Sequence, residues 1–119
     1  MRLLIADDDR DAAETLAEVL RLFVVPPIEI VLAFDGQEAL AATTGSKRLP
    51  DAVIMDIEMP RMNGVNAAIG IRRALGSGAP TLIAVTGYVG IAKLAGASSA
   101  FDHVLTKPVK VEELLWLLR

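Results

Sequence analysis

The sequence predicts an α/β domain, a doubly wound five-stranded parallel sheet flanked by five helices. Five short apolar runs alternate with longer stretches whose apolar residues recur at helical spacing. That alternation is the pattern of a parallel sheet with helices on both faces. The apolar content comes mostly from Ala, Leu, Val and Ile, with only five aromatics, a mix that suits helices packed on a buried sheet. A length of 119 residues fits one domain, spanning 1–119, and leaves no room for two.

Leu3 to Ala6 reads as the first strand, stopped by Asp7-Asp8-Asp9. Ala12, Ala13, Leu16, Ala17, Leu20 and Phe23 then mark one helical face, with Asp9 as N-cap. Pro26-Pro27 ends that unit, and Ile28 to Ala33 is strand two. Asp35 to Thr43 forms a short helix closed near Gly45. Ala52 to Met55 is strand three, Pro60 to Gly64 a loop, and Val65 to Leu75 the third helix. Residues 76–80 turn the chain into strand four, Thr81 to Val85. A fourth helix is expected between Tyr88 and Ser99, weakened by Gly90, Gly96 and two serines. Val104 to Thr106 belongs to strand five, and Lys110 to Arg119 to the last helix. On that helix Val111, Leu114, Leu115 and Leu118 share a stripe facing the sheet, whereas Trp116 and Leu117 fall off it and suggest a protein-binding patch.

A net charge of −3 argues against a dedicated nucleic-acid module, which needs a basic face. The absence of cysteine removes disulfides and thiolate metal sites, and a single histidine removes a His-cluster site. No apolar run approaches the roughly 20 residues that span a bilayer, and the apolar start is too short for a signal peptide. A cytoplasmic location is the expectation.

Parallel strands place all their C-terminal ends along one edge, where ligands of such folds bind. Strand one ends there in Asp7-Asp8, strand three in Asp56, strand four in Thr86, and strand five in Lys107 followed by Pro108. Clustered carboxylates repel one another unless a cation intervenes. A site of oxygen ligands without His or Cys points to Mg²⁺. Lysine supplies a mobile point charge for a phosphoryl oxygen. Metal, ammonium and hydroxyl around one carboxylate describe a phosphoryl-transfer site. Taken singly, these residues carry less. Asp7-Asp8-Asp9 could merely complement a helix dipole, and a strand threonine is commonplace.

The runs Leu3–Asp9, Val53–Gly64, Val85-Thr86-Gly87 and Leu105-Thr106-Lys107-Pro108 together resemble the receiver domains of bacterial response regulators and hybrid sensor kinases. The resemblance implies a flavodoxin-like strand order 2-1-3-4-5. It makes Asp56 the phosphoacceptor, which takes its group from a histidine kinase or a histidine phosphotransfer protein. Asp8, Asp56 and the backbone carbonyl of Glu58 would hold Mg²⁺ directly, with Asp7 acting through water. Lys107 would bridge Asp56 and the phosphoryl group, and Thr86 would hydrogen-bond that group once it arrives. The Lys107–Pro108 bond is usually cis in this family. The chain would catalyse only its own phosphorylation and dephosphorylation, as a switch rather than a turnover enzyme. Receivers also pair through the face that includes the last helix, so a homodimer is a further expectation. One position departs from the family. The switch residue three places before the lysine, often Tyr or Phe, is Val104 here. His103 precedes it and alternation points it to the opposite face.

Three other classes compete. A pseudo-receiver docking module would explain Val104 but not the retention of all the site residues. A haloacid-dehalogenase-type phosphatase also uses a strand-end Asp and Mg²⁺, and Glu58 occupies the place of its second Asp, but no cap domain or downstream acidic motif follows. A flavodoxin-like electron carrier would set three carboxylates against the flavin phosphate.

Overall fold

The computed structural model describes residues 1–88, 90 and 99–119. Five strands, β1 (Arg2–Ala6), β2 (Glu29–Ala33), β3 (Ala52–Asp56), β4 (Thr81–Thr86) and β5 (His103–Thr106), form one sheet in the order β2-β1-β3-β4-β5. All four pairings are parallel. Among the described residues there are four α-helices: α1 (Arg10–Phe23), α2 (Gly36–Thr44), α3 (Gly64–Leu75) and α4 (Val111–Leu117). The expected helix between Tyr88 and Ser99 lies almost wholly outside the described residues.

Successive strand residues point to opposite faces, and both faces are covered. On one, Leu4, Val53, Met55, Leu82 and Ala84 pack with residues of α2 and α3, among them Ala39, Ala67 and Ile71. On the other, Leu3, Ile5, Ile54, Ile83 and Val85 pack against Ala13, Ala17 and Leu20 of α1 and Leu114 of α4. Strands of this kind can carry apolar residues on both sides, which is why β3 reads Ala-Val-Ile-Met before its terminal Asp56 and is buried throughout.

Three helices begin at the C-terminal edge of the sheet, each behind a side-chain cap. Asp9 accepts a hydrogen bond from the Ala12 amide at 3.1 Å, Asp35 from Glu38 at 2.8 Å and Asn63 from Asn66 at 2.9 Å. Asp35, expected as the first residue of α2, is instead its buried cap. α4 starts without a side-chain cap, but Glu112 and Glu113 in its first turn complement the helix dipole.

The stripe on α4 holds in part. Leu114 and Leu118 are buried, and Leu115 is half-buried against the same core. Trp116 is 64% exposed. Leu117 corrects the expectation: it is half-buried and packs on the α1-side core. It follows Leu114 by three residues, only about 60° around the helix, so it flanks the stripe rather than opposing it. β5 begins one residue earlier than expected, at His103, which is exposed, while Val104 packs on the opposite face beside the α3 core.

Candidate functional site

The sheet ladder runs past the strand ends and fixes the first residues beyond them. The Asp7 amide donates to Ala33 O at 3.0 Å, Ile57 to Val85 O at 3.1 Å and Lys107 to Thr86 O at 2.8 Å. Asp7 and Lys107 therefore emerge from rigid backbone at the same edge as Asp56 and Thr86. The Lys107–Pro108 bond is cis, as the resemblance implies; Pro26–Pro27 is cis as well.

Asp56 lies at the centre, 6% exposed. Lys107 Nζ donates to Asp56 Oδ2 at 3.1 Å and stands 4.0 Å from Asp7 Oδ2. Asp7, Asp8 and Asp56 each offer a carboxylate oxygen within 4.8 Å of the others. A donor set of oxygens alone, with Asp8 open to solvent, fits a hard divalent cation. Asp7, Asp56 and Lys107 line a cleft of about 590 Å³ whose apolar wall includes Leu16, Ile54 and Val85.

Burial pushes the Asp56 carboxyl up to about 6; the neighbouring Glu58 adds to this, and Lys107 opposes it. Asp7 is also raised, chiefly by burial, although the Asp9 amide and Lys107 favour its charged form. For Lys107, burial works against the ammonium, but the hydrogen bond to Asp56 and the surrounding carboxylates win and raise its pKa. Each of these shifts is what a divalent ion among the carboxylates would relieve.

Thr86 is fully buried. Its hydroxyl donates to Glu58 Oε1 at 2.6 Å and accepts from the Tyr88 amide at 3.2 Å. The Glu58 amide in turn donates to Asp56 Oδ1 at 3.3 Å. Burial resists ionisation of Glu58, but the hydrogen bonds from Thr86 and Asp56 hold its carboxyl below the usual range. Close behind, Gly64 opens α3. A Cβ there would collide with the Asp56 carbonyl oxygen and come within 2.9 Å of Ile57 Cα, so glycine allows the helix to start directly under the end of β3.

This geometry has counterparts. The description of the response regulator receiver domain matches residues 3–119. The chain belongs to that family. Response regulator MprA of Mycobacterium avium (strain 104) is 34% identical over 119 residues, covering all of this chain and 50% of its own. Transcriptional regulatory protein PrrA of Mycobacterium tuberculosis (strain ATCC 25618 / H37Rv) is 33% identical over 114 residues, covering 96% of this chain and 46% of its own. The chain thus spans about half the length of the curated relatives it matches. Among solved structures, the response regulator TrrA of Thermotoga maritima, in complex with Mg²⁺–BeF, superposes with a TM-score of 0.82 at 30% identity, covering 99% of this chain and 98% of that one.

The receiver fold brings together all the residues singled out in the sequence at the strand ends: Asp7, Asp8, Asp56, Thr86 and Lys107. Val104 lies away from them, packed beside the α3 core. Within the receiver resemblance, sequence reading gave Glu58 a role only through its backbone carbonyl. Its side chain, bonded to Thr86, carries no signal in a single sequence. Asp102 was missed too. It accepts from the Leu82 amide and from Arg72, both at 2.8 Å, and ties α3 to β4.

Proposed function

We propose that this receiver accepts a phosphoryl group on Asp56 from the phosphohistidine of a histidine kinase or phosphotransfer protein. The observation that carries this reading is Lys107 Nζ 3.1 Å from Asp56 Oδ2, beside two more carboxylates. Asp8 and Asp56, with the Glu58 carbonyl, would hold Mg²⁺, and Asp7 would assist through water. Bound there, the ion would neutralise charge on the carboxylates and on the phosphoryl oxygens. An Asp56 carboxylate oxygen forms the new P–O bond as the P–N bond breaks, and the imidazole leaves with the electron pair. Lys107, held at both Asp56 and Asp7, stays within reach of a phosphoryl oxygen and balances its charge. The Thr86 hydroxyl donates to a second oxygen once the group has arrived.

The chain's own chemistry ends with slow loss of that phosphate, so it works as a cytoplasmic signalling switch and not as a turnover enzyme. Pairing of two copies through α4 is part of the same reading, supported by the exposed Trp116, over which Arg119 stacks at 4.0 Å. The test is incubation with acetyl phosphate and Mg²⁺, followed by intact mass measurement. The wild type gains one phosphoryl mass; Asp8→Asn gains it far more slowly, and omitting Mg²⁺ abolishes the gain. Equal labelling with and without Mg²⁺ refutes the metal's role, and no labelling at all refutes the acceptor.

A further inference from the structure

A hydroxyl has two acceptor lone pairs but only one proton to donate. The proton of Thr86 is committed to Glu58 Oε1 at 2.6 Å, while the Tyr88 amide occupies one lone pair. Thr86 is fully buried, so solvent offers no alternative partner. A phosphoryl oxygen on Asp56 can only accept. It therefore cannot bond to Thr86 while Glu58 does.

From this we infer that the Glu58 side chain is a competing acceptor that holds the Thr86 hydroxyl in the unphosphorylated protein and sets the threshold for switching. The inference rests on the proposed phosphoryl transfer and adds a positioning residue to it. The Glu58 carboxylate acts through the Thr86 hydroxyl that it holds. The Glu58 backbone is held beside Asp56, since its amide donates to Asp56 Oδ1. The acceptor that Thr86 must leave thus stands two residues beyond the end of β3, where Asp56 lies. The bond is charge-assisted, so releasing it opposes the conversion. Glutamine would keep an acceptor atom without the charge, and alanine would remove both.

Affinity for beryllofluoride at saturating Mg²⁺, read by fluorine NMR, tests this on the wild type, Glu58→Ala, Glu58→Gln, Thr86→Ala and the Glu58→Ala/Thr86→Ala pair. Glu58→Ala should tighten binding on the order of tenfold, the scale of one charged hydrogen bond, with Glu58→Gln in between. In the Thr86→Ala background the same substitution should change affinity less than about twofold, because the competed donor is gone. An equal gain in both backgrounds would mean that Glu58 acts by repulsion alone and would overturn the inference. If neither the wild type nor any variant bound beryllofluoride, the phosphoryl-acceptor reading would fall, and this inference with it. A second readout needs no metal or ligand. Scalar couplings at Thr86 should report one χ1 rotamer in the wild type and averaging in Glu58→Ala. A single unchanged rotamer in that variant would show that Glu58 does not hold the side chain.

Discussion

Burial raises the Asp56 carboxyl to about 6, against an ordinary value of 3.8, and this has a consequence for stability. The folded protein binds the proton more tightly than the unfolded chain does. Asp56 therefore contributes stability that is fully present below about pH 4 and is lost as pH rises through about 6. In metal-free protein at pH 7, Asp56→Asn should be more stable than the wild type by up to about 3 kcal/mol, at about 1.4 kcal/mol per pKa unit. The gain should shrink toward zero at pH 4. Urea unfolding at the two pH values in the presence of a chelator measures it. Lys107→Ala removes the cation that opposes burial, so the Asp56 titration followed by carbon NMR should move further upward. These two residues were legible in sequence because motif spacing places them at strand ends. The Thr86–Glu58 bond was not, because it depends on side-chain rotamers across two loops that no spacing encodes.

At the scale of elements, the strands followed from apolar runs and the α1 cap from Asp9 standing before helical periodicity, whereas Asp35 and Asn63 emerged as caps only in the folded structure. Leu117 shows where such reading fails: angular position on a helix does not reveal how far neighbouring elements wrap around it. Asp102 shows a second failure, since its partners lie 20 and 30 residues away in the chain. Burial alone would raise its pKa, but the Leu82 amide and Arg72 hold it below the ordinary carboxylate value. Its stabilising effect is present above about pH 4 and is lost as pH falls through the lowered value. Because the side chain is 42% exposed, the effect is screened. Asp102→Ala should cost about 1 kcal/mol at pH 7 and flatten the acid limb of the stability profile, as thermal melts across pH 3–7 would record. Gly64→Ala should cost more, about 1–3 kcal/mol, because the added methyl meets the backbone at Asp56 and Ile57.

For the whole molecule, the fold turns four separate segments into one acidic edge, and the functional account depends on that convergence. Sequence indicated this architecture because all five strands are short apolar runs and four end in a chemically distinctive residue: Asp7, Asp56, Thr86 or Lys107. The surface was harder to read. Trp116 is exposed as expected, but the packed Leu117 makes a double substitution unsuitable as a test of pairing. Trp116→Ala alone should leave stability within about 0.5 kcal/mol and weaken self-association in sedimentation velocity. Sedimentation identical to the wild type would remove α4 as a pairing surface. The central claim, that Asp56 is the acceptor, is tested most directly by locating the phosphate. Protein treated with acetyl phosphate and Mg²⁺ is reduced with borohydride, which converts an aspartyl phosphate to homoserine, and its peptides are sequenced by mass spectrometry. The account predicts homoserine at position 56 and nowhere else; homoserine at position 7 or 8, with position 56 unmodified, would contradict it.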